Sequence, residues 1–222
     1  MFDFSHLQKL RENRSAVLTW YDDNGRVELV GPVVTRWISK TAHYLVDLFG
    51  EGAQPSVLIH LPPSWRTVMW VTGAGFAGAD VQIVGADRPV HSAREFDLVV
   101  TSSASTARDL ARDPGLIVVL QALKPFALQW EGELPAGVAD AIGEVSSQPD
   151  FIQFTDVSAL PTHEADCDQH HTKGSRCGAV LTDGSPTYIQ CIWQAWEQGL
   201  SALWIDPTLD QEPILRQELI ID

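Results

Sequence analysis

Between residues 56 and 84 the chain carries a pattern with few structural solutions: an apolar run, a turn, an apolar helix and a second apolar run. Ser56-Val-Leu-Ile-His60 is short, β-branched and uniformly apolar up to its last residue, which reads as a buried strand. Leu61-Pro-Pro-Ser64 then turns the chain and supplies Ser64 as the N-cap of a helix from Trp65 to about Phe76, ending near Gly78. Val81-Gln-Ile-Val84 is the following strand. A strand, a crossover helix and a strand imply parallel pairing, because the helix carries the chain back to the edge from which the first strand began. Gly73 and Gly75 weaken that helix but permit a close backbone approach.

The alternation continues downstream with the strand Phe96-Asp-Leu-Val-Val100, a Ser/Thr-rich turn, a short helix near Thr106 to Arg112, and the strand Leu116-Ile-Val-Val-Leu120. Strands alternating with helices predict an α/β fold with a mainly parallel sheet and flanking helices. Upstream, Ala16-Val-Leu-Thr-Trp20 and Arg26-Val-Glu-Leu-Val30 flank Asp22-Asp-Asn-Gly25 and read as a hairpin. Gly31-Pro32 opens a helix whose Val34, Trp37, Ile38, Thr41, Ala42, Leu45 and Leu48 share one face, and Gly50 stops it. From Lys124 to Asp156 the reading is of mixed short strands and one helix around Gly137 to Val145, and Ser158 to Arg176 reads as polar loop.

A second strand-helix-strand unit follows: Ala179-Val-Leu-Thr182, the turn Asp183-Gly-Ser-Pro186, a helix from Thr187 to Gln198, Gly199, and Ala202-Leu-Trp-Ile205. At a shift of 121 residues Ser185 falls on Ser64, Ile189 on Val68, Ile192 on Val71 and Gly199 on Gly78. Internal duplication and convergent βαβ patterning both explain that correspondence. The expected organisation is a first α/β lobe over 1–157, a polar loop over 158–176 and an incomplete second βαβ lobe over 177–222.

Composition narrows the partners. A formal net charge of −14 disfavours nucleic acid, whose affinity comes from basic side chains displacing counterions, and repels free nucleotides unless a basic pocket compensates. No window reaches the roughly 18 apolar residues that a membrane span requires. The stretch from Met1 to Leu10 has no basic segment leading an apolar one, so a cytoplasmic location is expected, and with it three reduced thiols rather than a staple.

The stretch Thr19-Trp-Tyr-Asp-Asp-Asn-Gly-Arg-Val-Glu-Leu29, the helix carrying Trp37 to Leu48, then Val57-Leu-Ile-His-Leu-Pro-Pro-Ser-Trp65 and the glycine-punctuated run to Asp87 resemble the N-terminal domain of AMP-forming acyl-CoA synthetases. The resemblance is to a small actinobacterial set of truncated relatives within this adenylate-forming superfamily. It covers Leu18 to Val100 well and continues loosely through Ala179 to Ile205. It implies two βαβ-based lobes like those of the synthetase N-terminal domain. The family's phosphate loop is Ser/Thr/Gly-rich and ends in Lys, and Phe151-Ile-Gln-Phe-Thr-Asp-Val-Ser-Ala-Leu160 offers no counterpart to it. Nor does the resemblance place a magnesium-binding acid, a ribose-binding Asp or a C-terminal lid with its lysine in this sequence.

Two clusters are candidate sites. Thr101-Ser-Ser-Ala-Ser-Thr106 follows a strand and enters a helix, so Ser102, Ser103 and Ser105 are candidate anion ligands; plain N-capping by Ser102 or Ser103 is the alternative. His163, Cys167, His170, His171 and Cys177 offer imidazole and sulfur of the kind that zinc takes, at a spacing that forms no paired Cys-x-x-Cys or His-x-x-x-His unit. A polar surface loop rich in such residues is the alternative. His60, at a strand's carboxyl end, either faces a ligand cleft or pairs with backbone. Trp37, Trp70, Trp193 and Trp196 fall on predicted core faces and read as core aromatics; Trp193 or Trp196, if instead exposed beside Trp204, would mark a partner interface.

The expected function is therefore that of a non-catalytic acyl-CoA synthetase-like protein, a binding or regulatory molecule with no assigned catalytic residues. Its expected partner is a small-molecule acyl or nucleotide ligand or a protein; no cofactor is expected, AMP or ATP with magnesium being the alternative. A homo-oligomer is compatible with this reading. The alternatives are a subunit of a split AMP-forming ligase and a structural oligomer component.

Overall fold

The computed structural model describes residues 1–90, 93–154, 157–158, 160, 177–181 and 187–218, with the side chains of 177–180 outside that description. The chain opens with α1 (Phe4–Glu12), β1 (Ala16–Asp22), β2 (Gly25–Val30) and α2 (Gly31–Phe49). Next come β3 (Ser56–His60), α3 (Trp65–Phe76), β4 (Asp80–Val84), β5 (Leu98–Thr101), α4 (Ala104–Leu110) and β6 (Ile117–Leu120). The remaining described elements are β7 (Val138–Asp140), α5 (Ala141–Ser146), β8 (Cys177–Leu181), α6 (Tyr188–Glu197), β9 (Ser201–Ile205) and α7 (Gln211–Gln217). They divide into two compact units, Met1–Thr35 with Ala159–Asp222, and Arg36–Ser158.

This division differs from the sequence partition, which put the hairpin with the residues after it. In the structure β1 pairs in parallel with β9, from Leu18↔Ala202 to Tyr21↔Ile205, so the hairpin completes a four-stranded sheet of order β2-β1-β9-β8. That pairing joins residues about 180 positions apart, and no local periodicity announces it. The hairpin turn itself is Asp23-Asn24: Asp22 pairs with Gly25, whose φ of +104° suits glycine, and the Asp22 carboxylate accepts the Asn24 N–H at 2.7 Å. In this unit Trp20 stacks on Trp204 across the β1–β9 pair, with ring centroids 4.0 Å apart and planes at 11°. Trp193, Trp196 and Trp204 are all buried, so the aromatic patch that would mark an interface does not form. Instead Trp196 donates its indole N–H to the Val17 carbonyl at 2.9 Å.

The other unit holds a five-stranded, all-parallel sheet of order β4-β3-β5-β6-β7. β3 and β4 are joined through α3, as the sequence predicts, with Ser64 capping α3 by accepting the Thr67 N–H at 3.1 Å. One face of the sheet, Leu58, Val99, Val118 and Leu120, packs against Ala107, Ala104 and Leu110 of α4 and against Val90, Ala93 and Phe96 from the β4–β5 connection. The alternate residues Val57, Ile59, Val100 and Val119 are fully buried on the opposite face, the one toward which α3 returns. Both faces covered is the condition under which parallel strands are stable, and it explains their near-continuous apolar composition.

Close approach of α3 to α2 is made at Gly73. A Cβ there would come within 2.6 Å of the Thr41 Cβ and 2.8 Å of the Ile38 carbonyl oxygen. At the far side of α2, Lys40 donates to the Ser146 carbonyl at 2.8 Å and to the Gln148 carbonyl, and pairs with Asp150 at 3.0 Å.

The internal correspondence extends to element boundaries. At the 121-residue shift β3 falls on β8 and β4 on β9, each pair parallel, and Gly78 and Gly199 both end their helices at positive φ, +83° and +72°. Two expectations are corrected. The helix around Gly137 to Val145 begins instead as the strand β7, which pairs with β6 from Val118↔Val138 to Leu120↔Asp140 before α5 starts. Three residues without alternation carry no period to distinguish strand from helix. Cys191 is disulfide-bonded, where three reduced thiols are the sequence expectation. An odd cysteine count leaves one thiol over but does not forbid one bridge.

Candidate functional site at the carboxyl edge of the parallel sheet

Numbered by their order in the chain, the strands of the five-stranded sheet stand 2-1-3-4-5, so the chain reverses its winding direction between β3 and β5. Open α/β sheets bind ligands beyond the carboxyl ends of their strands at such a switch point. Here those ends are His60 on β3 and Thr101 on β5, which are register partners. The His60 Nδ1 pairs with the Thr101 hydroxyl at 2.9 Å, and its Nε2 donates to the Arg88 carbonyl at 3.0 Å. Thr101 also accepts the Ser103 N–H at 3.1 Å. His60 is 2% exposed, so its ring fastens the β4–β5 connection to the sheet edge instead of facing solvent.

Ser103 is the N-cap of the seven-residue α4, accepting the Thr106 N–H at 3.2 Å. Its hydroxyl lies 3.0 Å from the Ser105 hydroxyl and accepts from the Thr106 hydroxyl at 3.0 Å. The structure thus brings Ser103 and Ser105 together through each other and the cap, with Ser102 half-buried beside them. Of the metal-ligand candidates, His163, Cys167, His170 and His171 lie outside the described residues, as does the side chain of Cys177, whose backbone opens β8. Among the described residues no group of three His, Cys, Asp or Glu is placed to hold a metal.

The remaining strand ends add polar groups of their own. Gln121, following β6, accepts the Trp70 indole N–H at 2.7 Å and donates to the Ala122 carbonyl at 2.7 Å. Asp140, ending β7, accepts N–H groups from Ile142 at 3.1 Å and Trp130 at 3.0 Å, capping α5 and holding the β6–β7 connection. Arg66 stands in the first turn of α3 and is 4% exposed. Burial pulls its guanidinium down to about 10, against a partial lift from the Asp140 charge. It lies over Trp65, 4.3 Å from the ring centroid, and 5.3 Å from that of Trp37. A larger cavity of about 600 Å3 opens at the opposite, amino edge, beside Arg94, Asp109, Arg112 and Asp113. Its charges are of both signs, and Arg112 pairs with Asp109 at 3.3 Å, so it presents no net complement to a charged ligand.

The sequence offers His60 and Ser103 as candidates at this edge, and the reading of it passed over Arg66, Gln121 and Asp140. The available signal for Arg66 was its place between a strand end and an aromatic helix, Trp65-Arg66-Thr-Val-Met-Trp70.

No family model matches the chain. Among solved structures it is similar to an acyl-CoA synthetase of Brucella canis, with a TM-score of 0.66 at 17% identity over 93% of this chain and 43% of that one. It is also similar to the N-terminal subdomain of NpsA from Klebsiella oxytoca, in complex with 3-hydroxybenzoyl-AMSN, with a TM-score of 0.57 at 11% identity over 96% of this chain and 55% of that one. The chain thus spans about half the length of these structures, and at such identities the likeness is one of fold: that of the N-terminal region of adenylate-forming enzymes. A relative from Mycobacterium tuberculosis, a TIGR03089 family protein, is 34% identical over an alignment of 198 residues that covers 83% of this chain and 68% of the relative. With that identity over that share of the relative, the chain belongs to the TIGR03089 family.

Proposed function

We propose that the chain is a ligand-binding or regulatory protein on the adenylate-forming scaffold and does not carry out adenylation by itself. The observation that supports this most is the commitment of the polar side chains at the switch point to one another. His60 is held by Thr101 and Arg88, Thr101 by His60 and Ser103, and Ser103 by Ser105 and Thr106. A general base or nucleophile needs a lone pair directed at substrate, and an activated phosphate needs preorganised donors and cations. These groups instead fix the loops of the crevice, which suits recognition. The ligand class is an acyl or adenylate-type small molecule, a reading supported by the fold likeness to the NpsA subdomain in complex with 3-hydroxybenzoyl-AMSN.

Thermal unfolding in the presence of AMP, ATP with magnesium, coenzyme A and acyl-adenylate analogues tests this reading. A ligand well above its dissociation constant raises the melting temperature, and the proposal expects that rise with an acyl-adenylate analogue. No shift with any of the four classes would remove the small-molecule reading. A second reading, a subunit of a split AMP-forming ligase, draws support from the loop after β6, where Phe126 and Leu128 are 89% and 87% exposed. It predicts adenylation only on addition of a second polypeptide, and loss of that complementation in a Phe126→Ser, Leu128→Ser double variant.

A further inference from the structure

The buried Arg66 has an unfilled coordination shell. Its Nη2 donates to the Ala127 carbonyl at 3.3 Å, while its Nε is buried with no hydrogen-bond partner. Among the described residues it makes no ion pair, and Asp140, the carboxylate whose charge it feels, is already engaged by the Ile142 and Trp130 N–H groups. The indole N–H of the adjacent Trp65 is likewise buried without an acceptor. Arg66 and Trp65 line the same small cavity, of about 10 Å3, together with Trp37, Thr41, Trp70 and Gln121. Trp70 does not compete there, because its N–H is satisfied by Gln121.

The lining therefore has two surplus donors, one of them on a cation, and an acceptor already in use. Buried polar groups are hydrogen-bonded and buried charges are paired, with few exceptions. The stacking of the guanidinium on Trp65 and Trp37 offsets part of its burial cost but satisfies neither N–H. About 10 Å3 is room for a single acceptor atom of an occupant, and a water placed there would leave the guanidinium charge uncompensated. An anion satisfies both donors and the charge. The first turn of the twelve-residue α3, where Trp65 and Arg66 sit, adds the positive end of the helix dipole.

We propose that the cavity beside Arg66 binds a small monovalent anion presenting one acceptor atom to Arg66 Nε and Trp65 Nε1, either a halide or one oxygen of a small carboxylate. This site stands apart from the functional reading above, because it requires no nucleotide and no catalysis. Arg66 and its two tryptophans then form an anion-dependent clamp between α3, α2 and the Ala127 carbonyl of the loop after β6.

The test is the melting temperature of the full chain at constant ionic strength with sodium gluconate replaced stepwise by chloride or by formate, joined to a crystal soaked in bromide. The expected result is a rise that saturates in chloride, formate or both, is lost in Arg66→Met and is weakened in Arg66→Lys, which keeps the charge but not the Nε donor. Saturation in only one salt identifies the source as halide or carboxylate. The soak is expected to give an anomalous peak within about 3.5 Å of Arg66 Nε, and it decides the matter if Arg66→Met fails to fold. Identical melting in all three salts, or the cavity occupied by water with no bromide peak, overturns the proposal.

Discussion

Replacing Gly73 with alanine sets two opposing effects against each other in one methyl group. In an exposed helix interior the change stabilises by about 0.8–1.0 kcal/mol, because glycine has more backbone freedom to lose. At Gly73 the new Cβ would lie 2.6 Å from the Thr41 Cβ and 2.8 Å from both the Ile38 carbonyl oxygen and the Thr41 Cγ2. Ordinary carbon contacts need about 3.5–4.0 Å, so α2 and α3 must separate by roughly 1 Å along that contact. Neither the Ile38 backbone nor the β-branched Thr41, which is 2% exposed, has a flexible end that can swing aside. Overpacking of this kind costs about 1–3 kcal/mol, and the backbone partner puts Gly73 in the upper part of that range. The net expectation is a loss of about 1–2 kcal/mol, which in a chain of this size lowers the melting temperature by roughly 2–8 °C. Gly143→Ala is the matched control, since that Cβ would meet nothing closer than the Asp140 carboxylate at 3.4 Å and α5 should gain from it. Both variants are to be compared by urea unfolding monitored through tryptophan fluorescence. Equal stabilisation of both would refute the claim that α2 and α3 meet at backbone distance.

Three further outcomes follow from the same contacts. Lys40→Met leaves the Ser146 and Gln148 carbonyls to water and should destabilise by about 0.5–1.5 kcal/mol in the same assay. Gln121→Met orphans the buried Trp70 indole N–H, and a loss of about 1–3 kcal/mol is expected; an unchanged urea midpoint would show that the bond contributes nothing. Burial, joined by the nearby Glu218 carboxylate, pushes Tyr21 up from 10.0 to about 12, with Arg26 opposing. Because the raised value belongs to the folded state, the stabilisation is fully present below about pH 10 and is lost as pH rises from about 10 to about 12. Tyr21→Phe should remove this alkaline decline, and an identical stability profile between pH 9 and 12 in the variant would contradict the assignment.

The parts of the fold legible in the sequence are those decided locally. The Pro-Pro-Ser turn placed the cap of α3 at Ser64, and the β-branched runs marked β3, β5 and β6 as buried on both faces. The pairing of β1 with β9 was not legible, because it depends on which distant edge is free once both segments have formed. β7 escaped because three residues, Val138 to Asp140, carry no measurable period. Within the site, His60 and Ser103 were visible as the polar residues at strand ends and helix starts. Arg66 was passed over, since an arginine in a first helical turn ordinarily points to water, and it is the packing of Trp37, from α2, that encloses it beside its neighbour Trp65.

On the proposed reading this scaffold recognises a ligand without adenylating it alone. The most direct test is carboxylate-dependent release of pyrophosphate from ATP and magnesium by the purified chain, measured across a panel of aromatic and fatty acids. Release no faster than in the protein-free blank is expected for every acid. Sustained release that depends on a particular carboxylate, and that scales with protein concentration, would contradict it.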